Sequence, residues 1–283
     1  MTANELVAKV KNLPPVPNAA LRLIGLLDTT DTSNDDVVQV IRCDNVLTAK
    51  LLRACNSPYF GFSDPVASVD QAVLVLGHQQ ILHIVLTLAF GSAMATPLPG
   101  SATDSNDLWH HSLTTAMAAE VVVNSGLDLN VEAPVAFTAG LLHDIGKLVM
   151  GQILDAGQQS AILGHISLNG VPRVEAERAI LGTDHAEVGA WLLKSWNLPE
   201  DIVEAVANHH RPVLEPRPRL SVVAHLANCA AHLAGFAPGC ETSAVHVDNQ
   251  VMEQLGVTPE IMGRLVIEVR DSSESVGQFM AMA

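Results

Sequence analysis

The chain has 283 residues with 30 acidic and 15 basic side chains, a formal net charge of −15 that argues against a nucleic-acid backbone binder, which needs a basic face. Its apolar content of 48% comes from Ala, Val and Leu, with only 4% aromatics, and this favours packed helices over a β-sandwich. The length allows one large domain or two smaller ones.

Residues 1–11 carry charges at Glu5, Lys9 and Lys11 and contain no apolar signal core. Leu13-Pro-Pro-Val-Pro17 reads as a rigid lead-in, with Asn18 capping a helix through Leu27. Ser33 and Asp36 have capping-box spacing and start the apolar-periodic run 37–52, which Asn56-Ser57-Pro58 ends. Ser68 and Gln71 open a further helix that Gly77 interrupts and that resumes through Phe90. Its most apolar stretch, 81–95, contains His83 and falls short of the roughly 20 residues that span a bilayer. A soluble, cytoplasmic protein with no membrane association is therefore expected.

Residues 96–103 concentrate Pro, Gly and Ser and read as a linker. Beyond it the periodicity predicts helices over 107–124, 132–153, 156–169, 172–181, 184–195, 199–208 and 218–234. A soft region, 235–248, precedes a final helical stretch. No sustained strand pattern with hairpin turns occurs, so the expected fold class is all-α. It has an N-terminal helical lobe (1–95) packed on a second helical lobe (104–234), and a C-terminal helical extension (247–283). Cys43, Cys55, Cys229 and Cys240 lack metal-type spacing and read as reduced thiols.

Four polar pairs interrupt this apolar pattern: His110-His111, His143-Asp144, Asp184-His185 and His209-His210. An imidazole beside a carboxylate on an apolar helix is costly to bury without a partner. A divalent ion would supply one, since nitrogen and oxygen donors together suit zinc, iron or manganese. The bland alternative is a His satisfied by a carbonyl and an Asp144–Lys147 ion pair. In the first pair His111 is the candidate ligand, Asp107 (one turn earlier) a weaker one, and His110 a surface residue. Thr183 or Asp184 reads as the N-cap of the helix that begins near His185. His209-His210 has an innocent reading as helix-end histidines facing the dipole. His78, His83, His165, His225, His232 and His246 read as packing or surface residues.

These motifs, with Cys43-Asp44, Leu52-Arg-Ala-Cys-Asn56-Ser57, Ser68 to Gly77 and Trp196-Asn-Leu-Pro199, resemble the HD superfamily of metal-dependent phosphohydrolases, and within it the HDOD family of signalling domains. The likeness runs from about Leu13 to Leu233. It implies an N-terminal helical bundle against an HD-like bundle, and a regulatory role in bacterial signalling, often without catalysis. By resemblance to the sister HD-GYP phosphodiesterases, His111, His143, Asp144, His185, His209 and His210 would hold one or two ions (Fe, Mn or Zn), with Lys147 near a phosphate.

Two departures weaken the catalytic implication. Asn228 stands where that family offers a closing aspartate, with His225 nearby as a substitute, and the Gly-Tyr-Pro loop is missing after His210. The expected function is an HDOD signalling module without robust catalysis, acting through a protein partner or a nucleotide second messenger and binding no nucleic acid directly. The alternatives are a metal-dependent phosphohydrolase or cyclic-dinucleotide phosphodiesterase, with Lys147 catalytic, and a metal-free scaffold.

Overall fold

The computed structural model describes residues 18–26, 33–94, 104–215, 219–238, 246–272 and 277, and all regular structure among them is helical. The lead-in at 13–17, the linker at 96–103 and Cys240 lie outside the described residues. The described residues fall into two compact units, one up to residue 93 and the other over 94–272.

The first unit holds α1 (Asn18–Leu26), α2 (Asn34–Arg42), α3 (Asn45–Cys55) and α4 (Val69–Met94). Its helix starts follow from side-chain chemistry. Ser33 Oγ accepts from the Asp36 amide while the Asp36 carboxylate accepts from the Ser33 amide, a reciprocal capping box. Asp44 caps α3 by accepting from the amides of Val46 and Leu47. Asn56 then ties the end of α3 to the segment before α4: its amide donates to the carbonyls of Leu52 and Val66, and its oxygen accepts from the Val66 amide. Ser68 Oγ accepts from the Gln71 amide, but Gln71 accepts from Ala67 and not from Ser68.

Gly77 breaks α4 with φ 80° and ψ 157°, a conformation open to glycine and costly for any other residue. Across this kink the window Val69–Gly91 is long and apolar enough to cross a membrane by length and composition, a longer stretch than 81–95. Sixty-one per cent of it is buried inside the fold.

The second unit comprises α5 (Ser105–Val123), α6 (Ala133–Leu142), α7 (Ile145–Ile153), α8 (Ala156–Asn169), α9 (Arg173–Leu181), α10 (His185–Ser195), α11 (Glu200–Asn208), α12 (Leu220–Leu233), α13 (Asn249–Leu255) and α14 (Pro259–Asp271). Helices α5, α6 and α12 pack on one another, α14 lies against α5 and α12, and α10 lies against α7 and α11. Val122, Ala136, Val223, Leu226, Val251, Leu265 and Val269 share one core. Full burial of each larger side chain contributes about 1.5–3 kcal/mol. The helices after residue 247 thus fill the same core as those before 234.

The run 132–153 is not one helix. It breaks at His143, which ends α6, and Asp144 (φ −100°, ψ 12°), which starts α7. The apolar pattern continues on both sides of this junction, so periodicity alone carries the helix through it. His143 and Asp144 therefore sit at a corner between two helices, not 100° apart on one.

Candidate metal centre

The corner at His143-Asp144 is fixed by close backbone approach on both sides. A Cβ at Gly140 would lie 2.7 Å from the Thr115 carbonyl, so α6 is pressed onto α5, which carries His111. A Cβ at Gly146 would lie 2.7 Å from the Gly189 amide nitrogen and closer still to the His185 carbonyl. Glycine at 146 lets the start of α10 reach α7, which brings His185 to Asp144. Asp184 is the N-cap of α10, accepts from the Glu187 amide and is ion-paired with Arg178. His209 ends α11, with His210 following it.

Six side chains thereby converge. His111 Nε2 lies 3.2 Å from His143 Nε2 and 3.5 Å from Asp144 Oδ2, and His143 Nε2 is 3.3 Å from that oxygen. The other carboxylate oxygen, Oδ1, faces His185 Nε2 at 3.4 Å and His209 Nε2 at 3.8 Å. His185 Nε2 is 2.8 Å from His210 Nε2. Two donor groups result, His111–His143–Asp144 and His185–His209–His210, and Asp144 turns one oxygen toward each.

The outer ring nitrogens decide what these atoms can do. The Nδ1–H groups of His111, His143 and His209 donate to the carbonyls of Phe236, Gly140 and Val206 at 2.7–2.8 Å. His185 Nδ1–H donates to Glu177 Oε2 at 2.6 Å. In its neutral form each of these imidazoles has one N–H, so the inner Nε2 of all four then carries a lone pair. Four lone pairs and a carboxylate then face one another in a buried cluster, where His111, His143, His185 and His209 are 0% exposed and Asp144 1%. His209 Nε2 has no hydrogen-bond partner, and neither Asp144 oxygen accepts a hydrogen bond of normal geometry. Lys147 Nζ stands 2.9 Å from Oδ2 as an ion-pair contact.

The electrostatics agree with this picture. Burial holds His111, His209 and His210 well below the ordinary imidazole range, reinforced by neighbouring imidazoles, so they stay neutral donors. Burial opposes ionisation of Asp144, but His143 and Lys147 outweigh it and hold the carboxyl well below its usual range. Burial works likewise against charged His185, and the Glu177 carboxylate more than offsets it, raising its basicity. Convergent buried acceptors with outer nitrogens pinned are the arrangement in which imidazoles ligate a cation. The nitrogen and oxygen donor set fits zinc, iron or manganese.

The remaining candidates fall outside this cluster. Asp107 is exposed, and His110 packs its ring edge against Phe236. His225 does not substitute for a ligand: its Nδ1–H donates to the His209 carbonyl and its Nε2 accepts from the Asp248 amide, which uses both nitrogens. It buttresses the backbone that presents His209. Asn228 is 3% exposed and its Oδ1 has no hydrogen-bond partner. Two neighbours of the site were not legible in the sequence. His232 packs edge-on against His111 at 4.7 Å between ring centroids, and Glu177 orients His185 from eight residues upstream.

The HDOD domain pattern matches residues 13–212, and the chain belongs to the HDOD family. An HDOD domain protein from Geobacter sulfurreducens superposes with a TM-score of 0.73 at 26% identity, covering 99% of this chain and 95% of that one. A candidate phosphohydrolase from Shewanella amazonensis gives 0.72 at 25% identity, covering 98% and 97%. An uncharacterized protein of Treponema pallidum is 24% identical over 240 residues, 83% of this chain. The chain spans less than half the length of the curated relatives it matches: 45% of the Treponema protein, and 27% of a Lactobacillus gasseri ribonuclease Y that is 26% identical over 66% of this chain. The protein is thus an HDOD domain similar in fold and sequence to a candidate phosphohydrolase, with His and Asp groups that could hold a metal.

Proposed function

We propose that this protein is a bacterial signalling module that holds a divalent metal pair in its second unit and acts through binding, without robust turnover. One observation carries the metal reading: four inner imidazole nitrogens and both Asp144 oxygens face each other while every outer nitrogen of those imidazoles is tied down. The ions would be held by His111, His143 and Asp144 on one side and by His185, His209 and His210, with Asp144, on the other. Binding is favoured over turnover because five of these donors are at most 1% exposed. Asn228, in place of a carboxylate, points the same way. The partner class is a signalling protein or a nucleotide second messenger, in the cytoplasm and without direct nucleic-acid contact.

The second reading is a phosphohydrolase, favoured by Lys147 at 2.9 Å from Asp144 and by the name of the Shewanella neighbour. A bound metal pair supplies Lewis-acid polarisation of phosphoryl oxygens. Lys147 would offset negative charge developing beside it. The ribonuclease Y relatives make RNA one of the phosphodiesters to test. Metal analysis of anaerobically purified protein, with turnover assays on cyclic dinucleotides, RNA and a generic phosphodiester, separates the readings. Two bound ions, a lower melting temperature with chelator and no turnover are expected. Turnover abolished by His143→Ala would establish the phosphohydrolase instead, and absence of metal with no chelator effect would eliminate both.

A further inference from the structure

Glu177 belongs to α9, which contributes none of the six converging donors, yet it is 0% exposed. Its Oε2 accepts from both the His185 backbone amide at 2.9 Å and His185 Nδ1–H at 2.6 Å. Its Oε1 accepts from Arg173 Nε at 2.7 Å. All three partners donate, so the group is held as a carboxylate. The turn between α9 and α10 runs through Gly182 at φ 81°, followed by Thr183, whose hydroxyl donates to Glu187 at 2.7 Å. Arg178, also on α9, pairs with Asp184, the N-cap of α10. Two side chains of one helix thus grip the first turn of the next, and one of them grips the ring of its first residue.

We infer that Glu177 is a positioning residue for the second metal position, setting the tautomer and aim of His185 so that Nε2 faces His210, His209 and Asp144. This rests on the metal-centre reading above. Two features separate such a role from plain helix packing. A carboxylate needed only to hold α10 would be satisfied by the backbone amide and Arg173, whereas here the ring nitrogen takes the shortest of the three bonds. The three other inner imidazoles bond to backbone carbonyls, so His185 alone among these four has a charged outer partner that a point substitution can remove. A carboxylate behind a ligating imidazole strengthens it as a donor, and loss of such a partner costs about 10–100-fold in metal affinity.

The test compares the full-length chain with Glu177→Gln, which keeps shape and removes the charge, and with Glu177→Asp as the conservative variant. In metal-free protein, histidine nitrogen NMR reads the His185 tautomer: an Nδ1–H form in the native chain and in Glu177→Asp, lost or mixed in Glu177→Gln. Titration with Mn(II) alone, followed by calorimetry, is expected to show two sites in the native chain. The weaker or the stronger step, whichever belongs to His185, should fall about 10–100-fold in Glu177→Gln while the other is unchanged. An unaltered His185 tautomer in Glu177→Gln, or two native-affinity steps in it, overturns the assignment. A native chain that binds no Mn(II) overturns the metal-centre reading, and the NMR comparison then still decides what Glu177 does to His185. Helical content by circular dichroism establishes that Glu177→Gln is folded; if it is not, the native chain decides, and an Nε2–H form of His185 in it overturns the assignment.

Discussion

Replacing Gly146 with alanine inserts a methyl group where α7 meets the start of α10. The added carbon would stand 2.7 Å from the Gly189 nitrogen and 2.8 Å from the His185 carbonyl carbon, both backbone atoms. Contacts of this carbon relax at about 3.5 Å and its nearest atom, closer than these two, is the His185 carbonyl oxygen, so the two backbones must part by more than about 1 Å. Overpacking of this kind costs about 1–3 kcal/mol, a melting drop of about 3–10 °C for a domain of this size. The displaced residue is His185 itself, while ligand distances tolerate only about ±0.2 Å. Gly146→Ala should therefore lose the ion bound through His185, His209 and His210 and keep the one at His111, His143 and Asp144. Elemental analysis after anaerobic purification reads the stoichiometry, and thermal melting reads the cost. Gly164→Ala is the control, since its Cβ would meet nothing within 4 Å in α8 and should stabilise by up to about 1 kcal/mol. Two ions per chain and an unchanged melt in Gly146→Ala would refute the reasoning.

Three further outcomes are expected. Asp144→Asn should abolish binding of both ions, because one carboxylate faces both donor groups; a variant that still takes up two Mn(II) contradicts the shared geometry. Asn228→Asp should melt lower than the native chain without metal, because it buries a further carboxylate, and gain more from added Mn(II), measured as the melting shift; equal gains count against a cation near Asn228. Burial raises Glu120 to about 7. Such a group favours the fold below its ordinary value of 4.5, and that contribution is lost as pH rises through about 7. Glu120→Gln should accordingly gain on the native chain between pH 5 and pH 8 by about 1 kcal/mol, discounted for partial exposure. A pH-independent difference in chemical denaturation would count against it.

Much of the architecture was legible because it is written in local chemistry. Ser33 with Asp36 and Asp184 before His185 announce helix starts that side-chain hydrogen bonds make, and the 3.6-residue apolar period does the rest. The six donors stand out because histidine pairs are conspicuous on apolar helices. The break at His143-Asp144 was hidden, because apolar residues flank it on both sides and nothing in the local pattern marks a corner. What makes that corner is tertiary: Gly140 against α5 and Gly146 against α10. Glu177 was hidden for the same kind of reason, since it and His185 lie on different helices and the contact exists only because the Gly182 turn folds one helix back on the other. The participation of His225 was misleading in the sequence, because a histidine near Asn228 suggests a ligand until both of its nitrogens are seen to hold backbone.

The placement of Asp144 has one more consequence. Because a single carboxylate serves both donor groups, the two positions cannot load independently. An ion drawing on Oδ2 leaves Oδ1 a poorer donor, and a second cation also meets the field of the first. Occupancy should then proceed in unequal steps, with a range of free-metal concentration over which the chain carries a single ion. A metal pair loaded as proposed above would thus pass through a half-occupied form before the second ion enters.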